Sequence, residues 1–251
     1  MLIHLQNIVV QKDRKTIISV PELSLGPTGM IAVVGPNGAG KSTFLKVLGG
    51  VEKSLGGSAA FEQGDLLKLS GRDRARLTGF VPQYFTPHWN QKVSELLELS
   101  EEKSGALHDL FQTSVEEFNL TKLISRHWEH LSGGERARVL LAMALGGKPP
   151  LIIADEPGAA MDVKHNLQML SSFQKRSSEA LILVAIHDLN FALRFFSRIL
   201  VLNEGAIVFD GKPATLVQEQ VLDQVFGIKF MTVNITGGFL LFPEQISKTS
   251  D

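Results

Sequence analysis

Nine consecutive residues near the start of the chain have the types and the order that hold a polyphosphate. Glycines let backbone N–H groups approach the anion, a lysine neutralises the β and γ phosphates, and a serine hydroxyl can ligate magnesium. A glycine-rich turn that binds nothing is the alternative, and the complete G-x-x-x-x-G-K-S pattern argues against it. The predicted phosphate-binding residues are Gly35, Pro36, Asn37, Gly38, Ala39, Gly40, Lys41, Ser42 and Thr43.

A pair of acids, Asp155 and Glu156, follows an apolar run at residues 151–154. In an open parallel sheet, ligands bind at the carboxyl ends of the strands, so the pair is predicted to lie at that edge. A solvated turn is the commonest fate of an Asp-Glu-Pro sequence. The surrounding motifs, and not the pair itself, argue against a turn here.

Two further polar residues stand directly after apolar segments. His187 follows the run at residues 181–186, and Gln83 follows Val81 and Pro82. A histidine at the end of a buried strand can stabilise the charge that develops in phosphoryl transfer. Taken alone, a histidine is more often structural and a glutamine more often lies on the surface, so their context decides both assignments.

Residues 131–135, with the sequence Leu-Ser-Gly-Gly-Glu, carry the most specific pattern in the chain. At ordinary residue frequencies this pentapeptide arises about once in 10^6 positions. Ser132 and Glu135 form an S-x-x-E capping box, which predicts a helix start. Gly133 and Gly134 in its first turn leave N–H groups unpaired for an anion. The structural and the binding interpretation therefore use the same geometry.

The phosphate loop, the pentapeptide and the acid-ended strand occur in an order that resembles the ATP-binding cassette (ABC) family, over almost the whole chain. The resemblance implies ATP and Mg as cofactors. Ser42, Gln83 and Asp155 are then the residues expected to hold the metal. Glu156 is expected to orient or deprotonate the attacking water, His187 to contact the γ-phosphate, and Gln83 to act with them in catalysis.

The resemblance also implies that each chain contains two nucleotide half-sites. In the family, the pentapeptide of one copy meets the γ-phosphate held by another, so the expected partner is a second copy of the chain in an ATP-sandwich homodimer. The residues expected to act across that interface are Ser132, Gly133, Gly134, Glu135 and Asp162.

Residues 131–140, 185–190 and 203–211 resemble the ATPases of bacterial importers for iron siderophores, haem and cobalamin, with cobalamin import the nearest match. That resemblance implies integral membrane permease subunits as partners and a periplasmic substrate-binding protein acting indirectly. It also implies a peripheral position on the cytoplasmic face of the inner membrane, with residues 84–102 as the permease contact. An exporter or lipoprotein-release ATPase, and a soluble ABC module without transport, remain open.

Composition restricts the possible partners. The chain has 251 residues, 44% of them hydrophobic, which suffices for a large buried core. A net charge of −1 gives no basic face, so nucleic acid is not an expected partner. The chain has no cysteine, and His127 and His130 lack a nearby third ligand for a metal site. No apolar run approaches the ~20 residues of a membrane-spanning helix.

Alternating strand and helix patterns predict an α/β fold with a mostly parallel sheet covered by helices. The resemblance adds a P-loop NTPase core, an N-terminal antiparallel β part and a helical insertion. The helical spacing of Val93, Leu96 and Leu97 supports the insertion. We expect one domain over residues 1–251, with a core at 1–83 and 148–251 and a helical subdomain at 84–147.

The chain departs from the family pattern at a few positions. Residues 1–29 contain no Phe, Tyr or Trp, although most cassettes carry an aromatic side chain there that stacks on adenine. An aliphatic or cationic side chain such as Lys12 or Arg14 could take its place, and no residue is assigned. Gly158 stands where threonine is usual, and Met161 stands where leucine is usual.

Overall fold

The computed structural model of the chain describes residues 1–105, 108–236 and 238–244. Strands alternate with helices over these ranges, and the predicted α/β fold is confirmed. The strands are β1 (Ile3–Lys12), β2 (Lys15–Leu25), β3 (Gly29–Val34), β4 (Gly56–Phe61), β5 (Gly64–Asp65), β6 (Thr78–Val81), β7 (Leu151–Asp155), β8 (Leu181–Ala185), β9 (Arg198–Asn203), β10 (Ala206–Gly211), β11 (Phe230–Ile235) and β12 (Gly238–Pro243).

The α-helices lie mostly in the crossovers between parallel strands, as that topology requires. They are α1 (Lys41–Leu48), α2 (Gly71–Leu77), α3 (Val93–Ser104), α4 (His108–Glu117), α5 (Gly133–Leu145), α6 (Val163–Arg176), α7 (Leu189–Phe195), α8 (Pro213–Gln218) and α9 (Val221–Phe226). Single 3-10 turns occur at Leu66–Lys68 and Trp128–His130. None of the helices in the described ranges is long and apolar enough to span a bilayer.

A six-stranded sheet in the order β10-β9-β3-β8-β7-β6 forms the centre of the fold. Its neighbouring strands are parallel except for β9 and β10. Strands β7 and β8 are buried along their whole length. Because both of their faces are covered, their sequences are unbroken apolar runs without the alternation of a half-exposed strand.

Successive side chains of β3 point to opposite faces of this sheet and join two different apolar clusters. Ile31 and Val33 belong to the cluster that contains Phe44 of α1 and the antiparallel sheet. Ala32 and Val34 belong to the cluster formed with α5, α6 and α7. The phosphate loop between β3 and α1 is therefore anchored at both ends in buried structure.

The N-terminal part forms a separate antiparallel sheet in the order β2-β1-β4-β5, as predicted. Strands β1 and β2 are joined by a two-residue turn at Asp13 and Arg14, which both have left-handed backbone angles (φ 50° and 64°). Two left-handed residues match the right-handed twist of a hairpin. The turn places Arg14 at an exposed tip.

The segment between β6 and β7 contains helices α3, α4 and α5, whereas residues 84–92 are not helical. The predicted helical insertion therefore begins with an irregular stretch. Leu96 and Trp128 of this segment join the same apolar cluster as Ile152 of β7. The division into a core and a helical subdomain at residues 84–147 stays a prediction.

The C-terminal part contains two short helices and a hairpin. Gln220 has a left-handed backbone (φ 53°) and separates α8 from α9. Strands β11 and β12 pair antiparallel, and β12 packs against α7. Leu241 of β12 is buried in the core.

Candidate functional site

The loop between β3 and α1 needs glycine where its backbone is left-handed and crowded. Gly35 has φ 149°, and a Cβ added there would lie 2.1 Å from the carbonyl oxygen of Leu202. Gly40 has φ 100° and caps the N-terminus of α1 without a side chain. These two positions exclude a Cβ, and the backbone N–H groups at the start of α1 are left available for an anion.

Lys41 is the cation of this loop and is almost fully buried. Its ammonium donates to the carbonyl oxygens of Gly35 and Pro36 at 2.7 and 3.0 Å, so the side chain curls back over the loop. Burial lowers the pKa of Lys41, and the nearby carboxylates of Glu156 and Asp155 act against that shift. The loop thus holds its cation in place by main-chain oxygens.

Asp155, at the end of β7, is fully buried and lies opposite the loop. The Ser42 hydroxyl donates to its Oδ1 at 3.0 Å, and no hydrogen-bond partner of its Oδ2 is found among the described residues. Desolvation raises the pKa of Asp155, and the Ser42 hydrogen bond opposes this shift. An unpaired buried oxygen beside a hydroxyl fits the oxygen ligands that Mg²⁺ prefers.

Glu156 lies between the other two polar side chains predicted for catalysis. Gln83 Nε2 donates to its Oε2 at 2.6 Å, and His187 Nε2 lies 2.6 Å from its Oε1. The Glu156 side chain is only 10% exposed, whereas that of His187 is half exposed. The structure thus joins Gln83 to Glu156, and the described contacts include none from Gln83 to the Ser42 and Asp155 pair.

The backbone of Glu156 is left-handed, with φ 52°. Its N–H donates to the carbonyl oxygen of Ala185 at 3.2 Å, at the end of the neighbouring strand β8. A non-glycine residue in this region costs on the order of 1 kcal/mol and persists where surrounding structure holds it. The reversal sends Asp155 into the interior and Glu156 toward Gln83 and His187.

The predicted capping box is confirmed at the N-terminus of α5. Ser132 N donates to Glu135 Oε2 at 2.8 Å, and Glu135 N donates to Ser132 Oγ at 3.3 Å. Arg126 donates to Glu135 Oε1 at 2.9 Å and also to the carbonyl oxygen of His130. The hydrogen bond from Ser132 N, with the charge of Arg126, lowers the pKa of Glu135.

Residues 157–162 pack against this helix start. A Cβ on Gly133 would lie 3.1 Å from Ala160 Cβ, so the small residues allow the two segments to approach closely. Asp162 caps α6 by accepting from His165 N at 2.8 Å, and its pKa is lowered mainly by that hydrogen bond. Its carboxylate also lies 2.9 Å from His165 Nδ1.

The predicted residues fall into two groups. The loop residues, Asp155, Glu156, Gln83 and His187 meet at the carboxyl end of the central sheet. The described hydrogen bonds connect none of Ser132, Gly133, Gly134, Glu135 and Asp162 to the phosphate loop. Each group includes the start of a helix, where backbone N–H groups can contact an anion.

The other residues considered in the sequence make hydrogen bonds, ring contacts or surface ion pairs. His127 Nδ1 lies 3.0 Å from the carbonyl oxygen of Asn90, and the His127 and His130 rings meet edge to face at 6.2 Å. Lys12 pairs with Glu52 at 3.0 Å on the surface. No base contact is assigned to Lys12 or Arg14.

Two contacts near the site carry no motif in the sequence. A Cβ on Gly158 would lie 2.0 Å from Asn166 Oδ1, so the Asn166 side chain occupies the space of the missing side chain at position 158. The second contact joins Asn190 to Leu241, 51 residues later. In the sequence, the glycine at position 158 is the only indication of the contact with Asn166. No residue pattern indicates the contact between Asn190 and Leu241.

Comparisons of the chain with known proteins find relatives that are consistent with this geometry. The sequence profile described as ABC transporter matches residues 19–159. The hemin import ATP-binding protein HmuV of Nitrobacter winogradskyi is 33% identical over 238 residues, which cover 90% of this chain and 88% of that protein.

Solved structures give the same picture. The dimeric, post-hydrolysis ATP-binding cassette MJ0796 bound to ADP and Pi superposes with a TM-score of 0.73 at 25% identity, covering 84% of this chain and 98% of that one. A structure described as an inward-facing metal-chelate type ABC transporter superposes with a TM-score of 0.78 and covers 98% of both chains. At 21% identity, the second likeness shows the fold alone.

We expect Asp155→Asn to stabilise the nucleotide-free protein by about 1 kcal/mol, because the amide fills the same space without a buried charge. This corresponds to a Tm increase of roughly 2–4 °C. Since the pKa of Asp155 is raised in the folded state, the gain is full at neutral pH and disappears as the pH falls through the folded and then the unfolded pKa.

Thermal unfolding without nucleotide or Mg²⁺, followed by circular dichroism at several pH values, measures this gain. Glu62→Gln is the matched control, because it removes an exposed negative charge and should leave Tm unchanged. A lower Tm for Asp155→Asn at pH 7 contradicts the assignment of Asp155 as a carboxylate whose burial destabilises its charged form.

Proposed function

The chain belongs to the ABC transporter family, and from that premise we propose that it is the ATP-hydrolysing subunit of a bacterial importer for a metal chelate. The observation that carries the proposal is the Glu156 carboxylate held between Gln83 and His187, next to Ser42 and the buried Lys41 and Asp155. The curated relative reported above is named for hemin import, so haem replaces cobalamin as the first candidate substrate.

In the proposed mechanism, the phosphate loop binds the polyphosphate of ATP through the N–H groups at the start of α1, and Lys41 neutralises its terminal phosphates. Ser42 and Asp155 would hold Mg²⁺, which supplies charge neutralisation on the β and γ oxygens. For Lys41 to reach a phosphate, its ammonium must leave the carbonyl oxygens of Gly35 and Pro36.

Glu156 then orients the attacking water or removes its proton, and His187 stabilises charge on the γ-phosphate. The two side chains are paired with each other in the structure. Gln83 donates to the same carboxylate, so a change in the position of Glu156 can move Gln83 and the helical segment that follows it. Closing of the site therefore requires that these three groups separate or rearrange around the phosphate.

A second copy of the chain is the proposed partner for hydrolysis. Gly133 and Gly134 lie in the first turn of α5, where backbone N–H groups have no partner within the helix, and Ser132 caps that turn. The described hydrogen bonds do not bring these residues to the phosphate loop of the same chain. Glu135 is committed to the capping box and to Arg126, so the anion meets main-chain N–H groups and not this carboxylate. Asp162 lies beside this helix start through the contact of Gly133 with Ala160.

Membrane permease subunits are the proposed partners on the other side of the site. Tyr84 is 84% exposed and Trp89 is 68% exposed, although both are large aromatic side chains. Tyr84 borders a cleft of about 250 Å³ whose walls include Gln83, Phe85 and Arg136. An exposed aromatic segment joined directly to Gln83 can pass movement of the site to a membrane subunit. This arrangement supports residues 84–102 as the permease contact and a peripheral position on the membrane.

We expect Glu156→Gln to bind ATP normally and to hydrolyse it at least about 100-fold more slowly, because the amide cannot accept the proton of the attacking water. Nucleotide binding is measured by fluorescence titration and turnover by phosphate release. Glu204→Gln is the matched control, since Glu204 is an exposed glutamate with the same left-handed backbone (φ 47°). Near-normal turnover of Glu156→Gln removes Glu156 from its proposed role.

If a competent site needs two chains, hydrolysis without other subunits rises more steeply than linearly with protein concentration. Phosphate release measured from dilute monomer to saturating protein, with the oligomeric state followed in parallel, tests this relation. Strict proportionality of rate to concentration where the protein is monomeric contradicts the shared site.

The import proposal is tested by co-purification of the chain with a permease and reconstitution of the complex in liposomes. We expect a haem-loaded binding protein to stimulate ATP hydrolysis and to deliver haem into the vesicle, while iron-siderophore and cobalamin carriers serve as the alternatives. Stimulation without transport of any of the three chelates, or outward transport only, refutes import of this substrate class.

A further inference from the structure

The side-chain amide of Asn190 forms two hydrogen bonds with the backbone of Leu241. Asn190 Nδ2 donates to the carbonyl oxygen of Leu241 at 3.2 Å, and Leu241 N donates to Asn190 Oδ1 at 2.7 Å. The pair joins the first turn of α7 to strand β12 of the C-terminal hairpin. Both polar atoms of the amide are used, which fixes its orientation.

The pairing pattern of the hairpin leaves Leu241 available for this contact. Glu244 N donates to Lys229 O, one step beyond the paired residues Phe230 and Pro243. Hydrogen-bonded and non-bonded pairs alternate in an antiparallel ladder. Leu241, paired with Thr232, therefore directs its N–H and C=O away from β11 and toward Asn190.

Asn190 is close in the chain to His187, whose ring touches Glu156. Asp188 lies between them and caps α7 by accepting from the N–H groups of Asn190 and Phe191 at 2.9 and 3.1 Å. On its other side, His187 follows Ile186, whose N–H donates to the carbonyl oxygen of Val33 in the central sheet. His187 is therefore held on both sides in the chain, by the hydrogen bond of Ile186 to the central sheet and by the start of α7.

The position of the start of α7 depends on the hairpin. Helix α7 has seven residues, too few to be rigid without tertiary support. Ala192 and Leu193 bury its later turn, and the Asn190 pair holds its first turn. Because His187 Nε2 must stay within hydrogen-bond distance of the reacting groups, a displacement of about 1 Å at the start of α7 is enough to slow turnover.

We propose that Asn190 is a positioning residue for ATP hydrolysis, which holds His187 in place by docking the start of α7 onto the free edge of β12. The proposal rests on the role of His187 in the proposed function. It makes the C-terminal hairpin part of the hydrolytic apparatus, although the hairpin contributes no group to the nucleotide site.

The test is a double-mutant cycle on the full chain between Asn190→Ala and His187→Ala. We expect Asn190→Ala to lower kcat by about 10- to 100-fold while KM for ATP changes less than about twofold. If Asn190 acts through the histidine, the double variant is no slower than His187→Ala alone. Asn190→Asp keeps the acceptor for Leu241 N but loses the donor, and it should fall between wild type and Asn190→Ala.

Asn234→Ala is the matched control, because Asn234 is an exposed asparagine on the same hairpin. It should retain wild-type turnover, and ATP affinity and the unfolding midpoint of each variant establish that it is folded. If the two losses multiply in the double variant, or if Asn190→Ala turns over normally while His187→Ala is slow, Asn190 has no positioning role and the proposed function stands. If His187→Ala itself turns over normally, both the proposed role of the histidine and that of Asn190 are wrong.

Discussion

The parallel register of β3, β7 and β8 is the constraint on which the site depends. Ala185 lies beside Val33 on one side and beside Asp155 on the other. The three strands therefore leave the sheet at the same level, although Val33 is more than a hundred residues away from Asp155 and Ala185 in the sequence. Gly35, Glu156 and His187 all lie within two residues of that line, so main-chain hydrogen bonds of the sheet fix the separation of these candidate site residues.

The ionisable side chains at this edge of the sheet differ in how deeply they are buried. Lys41 and Asp155 are buried, and each is held by a neighbouring polar atom of the loop. Glu156 and His187 lie nearer the surface and hold each other. Asp155 already lies beside the Ser42 hydroxyl, so this pair needs little reorganisation to bind a cation. In the proposed mechanism, Lys41 leaves its carbonyl partners and the outer pair gives up its mutual contact when the nucleotide binds.

The sequence predicted the local structure correctly wherever a short motif determines the backbone geometry. The phosphate loop, the capping box at Ser132 and the hairpin and sheet pattern follow from residue type and spacing, and the fold followed with them. The sequence did not indicate that Gln83 bonds to Glu156, that Asn166 fills the space beside Gly158, or that α8 and α9 separate at Gln220. Those features depend on tertiary contacts between distant segments, which no local pattern encodes.

The left-handed backbone of Glu156 is independent of the charge on its side chain. Asparagine or glycine would occupy this conformation with less strain, and the difference is on the order of 1 kcal/mol. Glu204, an exposed glutamate, has the same backbone conformation (φ 47°), so the conformation by itself does not mark a catalytic position. Glutamine at either position keeps an unbranched side chain and therefore the same backbone cost. Exchange of the carboxylate for an amide thus changes charge and proton affinity at position 156 and leaves the local strain as it was.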